Sequence, residues 1–95
     1  MTTLHTLNRS PADTQLFKQL LSTIRVGDTL LLLEDAVYYC IKNNLNRTIQ
    51  DIEVFALKDD VHARGIPFEG SDVKLASYEE YVRLTERTDK LINWY

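Results

Sequence analysis

Apolar residues along this chain come in two rhythms, one of strands and one of helices. Leu4 to Leu7, interrupted by His5 and Thr6, reads as a first short strand. Thr29 to Leu33 is apolar at consecutive positions, the pattern of a strand covered on both faces within a parallel sheet. Ile52 to Leu57 repeats that signal, and Val73-Lys74-Leu75-Ala76 supplies a fourth short strand. Between the first two strands, Leu16, Phe17, Leu20, Leu21 and Ile24 fall at the three- and four-residue spacing of a helical stripe. Val37, Cys40 and Ile41 share one face of a second helix, predicted from Ala36 to the Asn43-Asn44 pair, whose side chains compete for backbone hydrogen bonds. A last helix is expected to turn Tyr78, Tyr81, Val82 and Thr85 inward. The tail Leu91-Ile92-Asn93-Trp94-Tyr95 is costly in water, which predicts a fifth edge strand or a segment covered by a partner.

Local chemistry punctuates this pattern. Ser10 is the expected cap of the first helix, Pro11 suits its first position, and Asp13 adds negative charge to its first turn. Gly27 is expected to end that helix and Asp35 to cap the second. Asp59 to Gly65 reads as a short helix with acid at its start, base near its end and a glycine stop, followed by a loop at Pro67 and Gly70. Ser77 and Glu80 have the spacing of a capping box. Alternating strands and helices with linkers of ordinary length define an α/β fold, a largely parallel sheet in one domain over residues 1–95.

Composition agrees and excludes several classes. With 95 residues, 44% hydrophobic and 26% charged, the chain suits one soluble globular core. The longest apolar run, Leu30 to Leu33, is far shorter than the roughly 18 residues of a membrane span. Met1 to His5 shows no basic region followed by an apolar one, so no secretory leader and a cytoplasmic location are expected. A single cysteine leaves no internal disulfide, and the triplets Asn8-Arg9-Ser10 and Asn46-Arg47-Thr48 are read as chance matches to the glycosylation pattern. The net charge of −3, with bases interleaved among acids as in Glu79-Glu80-Tyr81-Val82-Arg83, argues against direct nucleic-acid binding.

No catalytic constellation is visible. The loops after the strands lack a phosphate-cradling glycine pattern, and His5, His62 and Cys40 lack the spacing of a metal site, so neither cofactor nor metal is expected. Ser10 is explained as a cap rather than a nucleophile. Glu34 and Asp35 end a central strand where catalysis in such sheets is usual. Being adjacent, they point apart, and the reading favoured is Asp35 as a cap with Glu34 in solvent. Cys40 is read as a packed thiol on the Val37/Ile41 face rather than a reactive one, with Lys42 the only base nearby. Tyr38, Tyr39, Trp94 and Tyr95 are candidate interface residues; completing the core is the equal alternative.

Four segments in order resemble the DsrH/TusB family. They are Leu4-His5-Thr6-Leu7-Asn8-Arg9-Ser10-Pro11, Gly27 to Val37, Ala56 to Ile66, and Asp72 to Trp94. Ala36 departs from the glycine that relatives often carry at that turn. The resemblance implies a three-layer α/β/α fold with an open, five-stranded, mostly parallel sheet. It implies a non-catalytic subunit of a sulfurtransferase complex with TusC-like and TusD-like paralogues. That complex would relay persulfide sulfur from a TusA-like donor to a TusE-like acceptor, ending in 2-thiouridine at the tRNA wobble position. A DsrH-type role in sulfur oxidation is one alternative, and a persulfide carrier using Cys40 another. The cysteine of some relatives lies near the first helix, where this chain has none, so no catalytic role carries over to Cys40.

Overall fold

The computed structural model describes residues 2–41, 52–67 and 73–95. The helix end at Asn43-Asn44, Lys42, Gly70 and Asp72 lie outside them. Five strands form one sheet: β1 (Thr3–Leu7), β2 (Thr29–Leu32), β3 (Glu53–Leu57), β4 (Lys74–Ala76) and β5 (Lys90–Trp94), in the spatial order β4-β3-β2-β1-β5. Every pairing is parallel. Leu7 stands opposite both Leu32 and Trp94, so the tail expected to be an edge strand is one, paired along β1.

Two cores follow from the two-residue period of the strands. Leu7, Leu30, Leu32, Val54 and Ala56 point to one face. There they meet Leu20 of helix α1 (Thr14–Thr23), Val37 and Cys40 of a 3-10 helix (Glu34–Ile41), and Val61 of α2 (Lys58–Ala63). Leu4 and Leu31 point to the other face, against Leu84 of α3 (Tyr78–Arg87) with Tyr81 and Phe55 beside them. Helices therefore cover both faces, which is why β2 is buried throughout and apolar from Leu30 to Leu32.

Several local expectations shift. Asp13 caps α1, its carboxylate accepting from the Leu16 N–H at 3.2 Å. Ser10 instead accepts from the Ala12 N–H, and its carbonyl from the Asp13 N–H, so Pro11 sits in a turn before the helix. The helix stops at Thr23. Gly27 serves a separate turn at φ +93°, a left-handed conformation glycine adopts at little cost. The second helix begins at Glu34, not Ala36, and is wound as a 3-10 helix over its described length. The capping box stands as read, with Ser77 and Glu80 each bonding the other's backbone N–H. The inward phase of α3 differs: Leu84 is buried and Tyr81 packs beside it, while Tyr78 is 64% and Val82 42% exposed.

Candidate functional site

Parallel sheets of this kind hold ligands beyond the carboxyl ends of their strands, where neighbouring connections diverge. Here that edge is built from the residues after β1, β2 and β3. Glu34 follows β2 at φ +48°, a left-handed conformation disfavoured for a side-chain-bearing residue. Its N–H donates to Asp60 Oδ2 at 2.7 Å, tying the turn to α2. Arg64 then spans both elements, with Nε on Asp35 Oδ1 at 3.1 Å and Nη1 3.7 Å from Asp60 Oδ1. Asp35 is thus an ion-pair partner of α2 rather than a helix cap, and Glu34 contributes its backbone. The carboxylates of Asp35 and Asp60 thus tie the connection after β2 to α2.

The strain at Glu34 is testable. Glu34→Gly removes a left-handed penalty of roughly 1 kcal/mol but gives the unfolded chain more freedom, worth roughly 0.4–1 kcal/mol. Stability should therefore stay within about 0.5 kcal/mol of the parent, whereas Glu34→Val should lose more than 1 kcal/mol. Urea midpoints would measure both.

The thiol lies away from this edge. Cys40 is 3% exposed among Val37, Tyr39, Leu30 and Val54 of the larger core. Burial pushes its pKa up to about 11, against a backbone hydrogen bond that lowers it. The exposed-looking tyrosine pair is split: Tyr38 reaches the surface, while Tyr39 is buried and stacks on Phe17 with ring centroids 4.7 Å apart. Tyr39 therefore completes the core. Tyr95 is 73% exposed and Trp94 is partly buried.

Sequence reasoning missed a buried polar cluster on the β5 side of the larger core. His5 Nε2 lies 2.9 Å from Asp28 Oδ2, and the Trp94 indole Nε1–H donates to His5 Nδ1 at 3.1 Å. Asp28 also accepts from the backbone N–H of Thr3 and of Arg25. Burial pushes the Asp28 carboxyl up, but the bonds from His5, Arg25 and Thr3 together outweigh it and leave the group below its ordinary value. These partners stand 23 and 89 positions apart in sequence, so only the alternation that points His5 to the face of Leu7 could have hinted at them.

Among the described residues no three His, Cys, Asp or Glu side chains gather as a metal site would require. No helix among them is long and apolar enough to cross a membrane. A groove of about 440 Å³ lies beside α3, floored by Phe55 and Leu84 and rimmed by Glu80, Arg83, Glu86 and Arg87. Both rim arginines pair with carboxylates outside the groove, Arg87 with Glu53 at 4.0 Å and Arg83 with Glu79 at 3.8 Å.

Comparison with known proteins completes the picture. The profile of the DsrH like protein family matches residues 9–91. Protein TusB of Escherichia coli strain K12 is 38% identical over 97 residues, covering 96% of this chain and 99% of its own. A Thermotoga maritima protein solved by NMR and proposed to be a sulfur transferase superposes with a TM-score of 0.61 at 31% identity, over 79% of this chain and 82% of its own. The crystal structure of the Escherichia coli ychN protein matches with a TM-score of 0.69 over 98% of both chains; at 19% identity it shows the fold alone.

Proposed function

The chain belongs to the DsrH family, and from that membership we propose that it is a subunit of a sulfur-relay complex that does not itself carry the sulfur. The observation that carries the second half is the state of Cys40. A persulfide carrier attacks as a thiolate and must meet its donor at the surface. A thiol 3% exposed with a pKa of about 11 does neither.

In this reading the partners are TusC-like and TusD-like paralogues. They receive persulfide sulfur from a TusA-like donor and pass it to a TusE-like acceptor for 2-thiouridine formation in tRNA. Tyr38 and Tyr95 are the surface aromatics offered to those partners, with the half-buried Trp94 next to Tyr95 at the end of β5.

The test joins assembly to chemistry. Co-expressed with its two paralogues, the chain should elute with them as one stoichiometric complex. Cys40→Ala should assemble equally and leave thiolated tRNA near normal, with a packing loss of about 1 kcal/mol. A folded, assembled Cys40→Ala complex that transfers no sulfur would refute the non-carrier reading. A chain that ignores both paralogues would refute the subunit reading.

A further inference from the structure

Hydrogen-bond chemistry fixes more about His5 than its position. An indole N–H can only donate, so a Trp94 that points Nε1 at His5 Nδ1 needs a bare lone pair there. The ring proton must then sit on Nε2, where it is donated to Asp28 Oδ2. His5 is 1% exposed and Asp28 7%, so the bond between them is shielded from water, and the bond from Trp94 is partly so. The arrangement is complete only while the imidazole is neutral.

We propose that His5 is a proton-operated latch on the edge strand β5: neutral, it accepts from Trp94 and holds the strand's end, and protonated, it releases the indole. A second proton would occupy Nδ1 and set two N–H donors against each other. The charge gained would still face the Asp28 carboxylate at 2.9 Å, so the imidazolium is not left unpaired. The loss is thereby confined to the Trp94 side, where β5 has only one neighbour, β1.

The surroundings add little charge to this balance. From β2 the residue in register with His5 is Leu30, and from β5 it is Ile92. On this side of the sheet α1 presents Phe17, Leu20, Leu21 and Ile24. Arg25, in the turn holding Asp28, is exposed and contributes its backbone N–H. Lys90 begins β5 at the level of Thr3 and is exposed, and Asp89 is occupied by the Thr2 N–H. Asp28 is the charged group that touches the ring.

Trp94 is the sole tryptophan of this chain, so an indole ¹⁵N label reports it alone in the isolated full chain, or in an assembly whose other chains are unlabelled. The experiment is a titration across about pH 5 to 8, the window in which histidine changes charge, following indole and imidazole nitrogens together. At the upper end the His5 nitrogens should show Nε2–H and a bare Nδ1. On acidification the indole proton should lose about five- to tenfold of its exchange protection, the scale of one hydrogen bond. Its midpoint should coincide with that of His5 and not with that of His62. His5→Gln keeps an acceptor that does not titrate, and its indole signal should be flat with pH. Trp94→Phe tests strand release separately, and should leave the β5 amides weakly protected at every pH. An Nδ1–H tautomer at the upper end, or indole and imidazole curves with separate midpoints, would overturn the latch.

Discussion

On the proposed sulfur-relay role, a strain lacking this chain should lose 2-thiouridine at the tRNA wobble position. The expected size is a fall to the level of a strain lacking either paralogue, read by mass spectrometry of digested tRNA. Tyr78, Val82, Leu91 and Tyr95 each expose between 42% and 73% of their area, a large apolar share for so short a chain. Subunits built to cover such surfaces lose stability when a neighbour is missing, because assembly and folding share one free energy. A second strain carrying Cys40→Ala should retain the nucleoside, which separates loss of the subunit from loss of the thiol. Unchanged 2-thiouridine in the deletion strain would sink the thiolation reading, and a defect in sulfur oxidation there would point to the other branch of the family.

What the sequence discloses about this fold is what short-range physics decides. The uninterrupted apolar run at Leu30 to Leu33 announces a strand buried on both faces, and Ser77 with Glu80 announces a helix start, because both signals are complete within five residues. The start of α1 is less legible. Ser10, Pro11 and Asp13 all favour a helix start, and Ser10 lies too early because the Ser10 carbonyl closes a turn onto the Asp13 N–H first. The inward face of α3 is misread by a small rotation. Tyr78 and Val82 are apolar, yet Tyr81, Leu84, Thr85 and Thr88 are the less exposed positions, and amphipathic tyrosine gives a periodicity argument little to choose by. The pairing of Asp35 with Arg64 and of His5 with Asp28 and Trp94 is invisible in the chain. Each joins residues more than twenty positions apart whose meeting depends on strand order.

Asp28→Ala should be among the most damaging single substitutions in this chain, costing about 3 kcal/mol of stability. The carboxylate accepts from Thr3 N–H, Arg25 N–H and His5 Nε2 at 3.1, 3.0 and 2.9 Å. Removing it strands three donors, one of them on a ring that is itself buried. Asp28→Asn should hurt less but measurably, since an amide nitrogen in place of Oδ2 would face both Arg25 N–H and His5 Nε2–H with a donor of its own. The cost should also depend on pH in one direction. The folded-state pKa of Asp28 lies below its ordinary value, so the folded protein holds this proton less readily than the unfolded chain. That contribution is fully present above the unfolded value near about 4 and fades as pH falls through the folded value. Urea midpoints of parent and Asp28→Ala should differ most above about pH 5 and converge as the solution is acidified below about pH 4. A gap that stays constant through that range would mean that packing around Asp28, rather than its charge, ties the turn before β2 to β1.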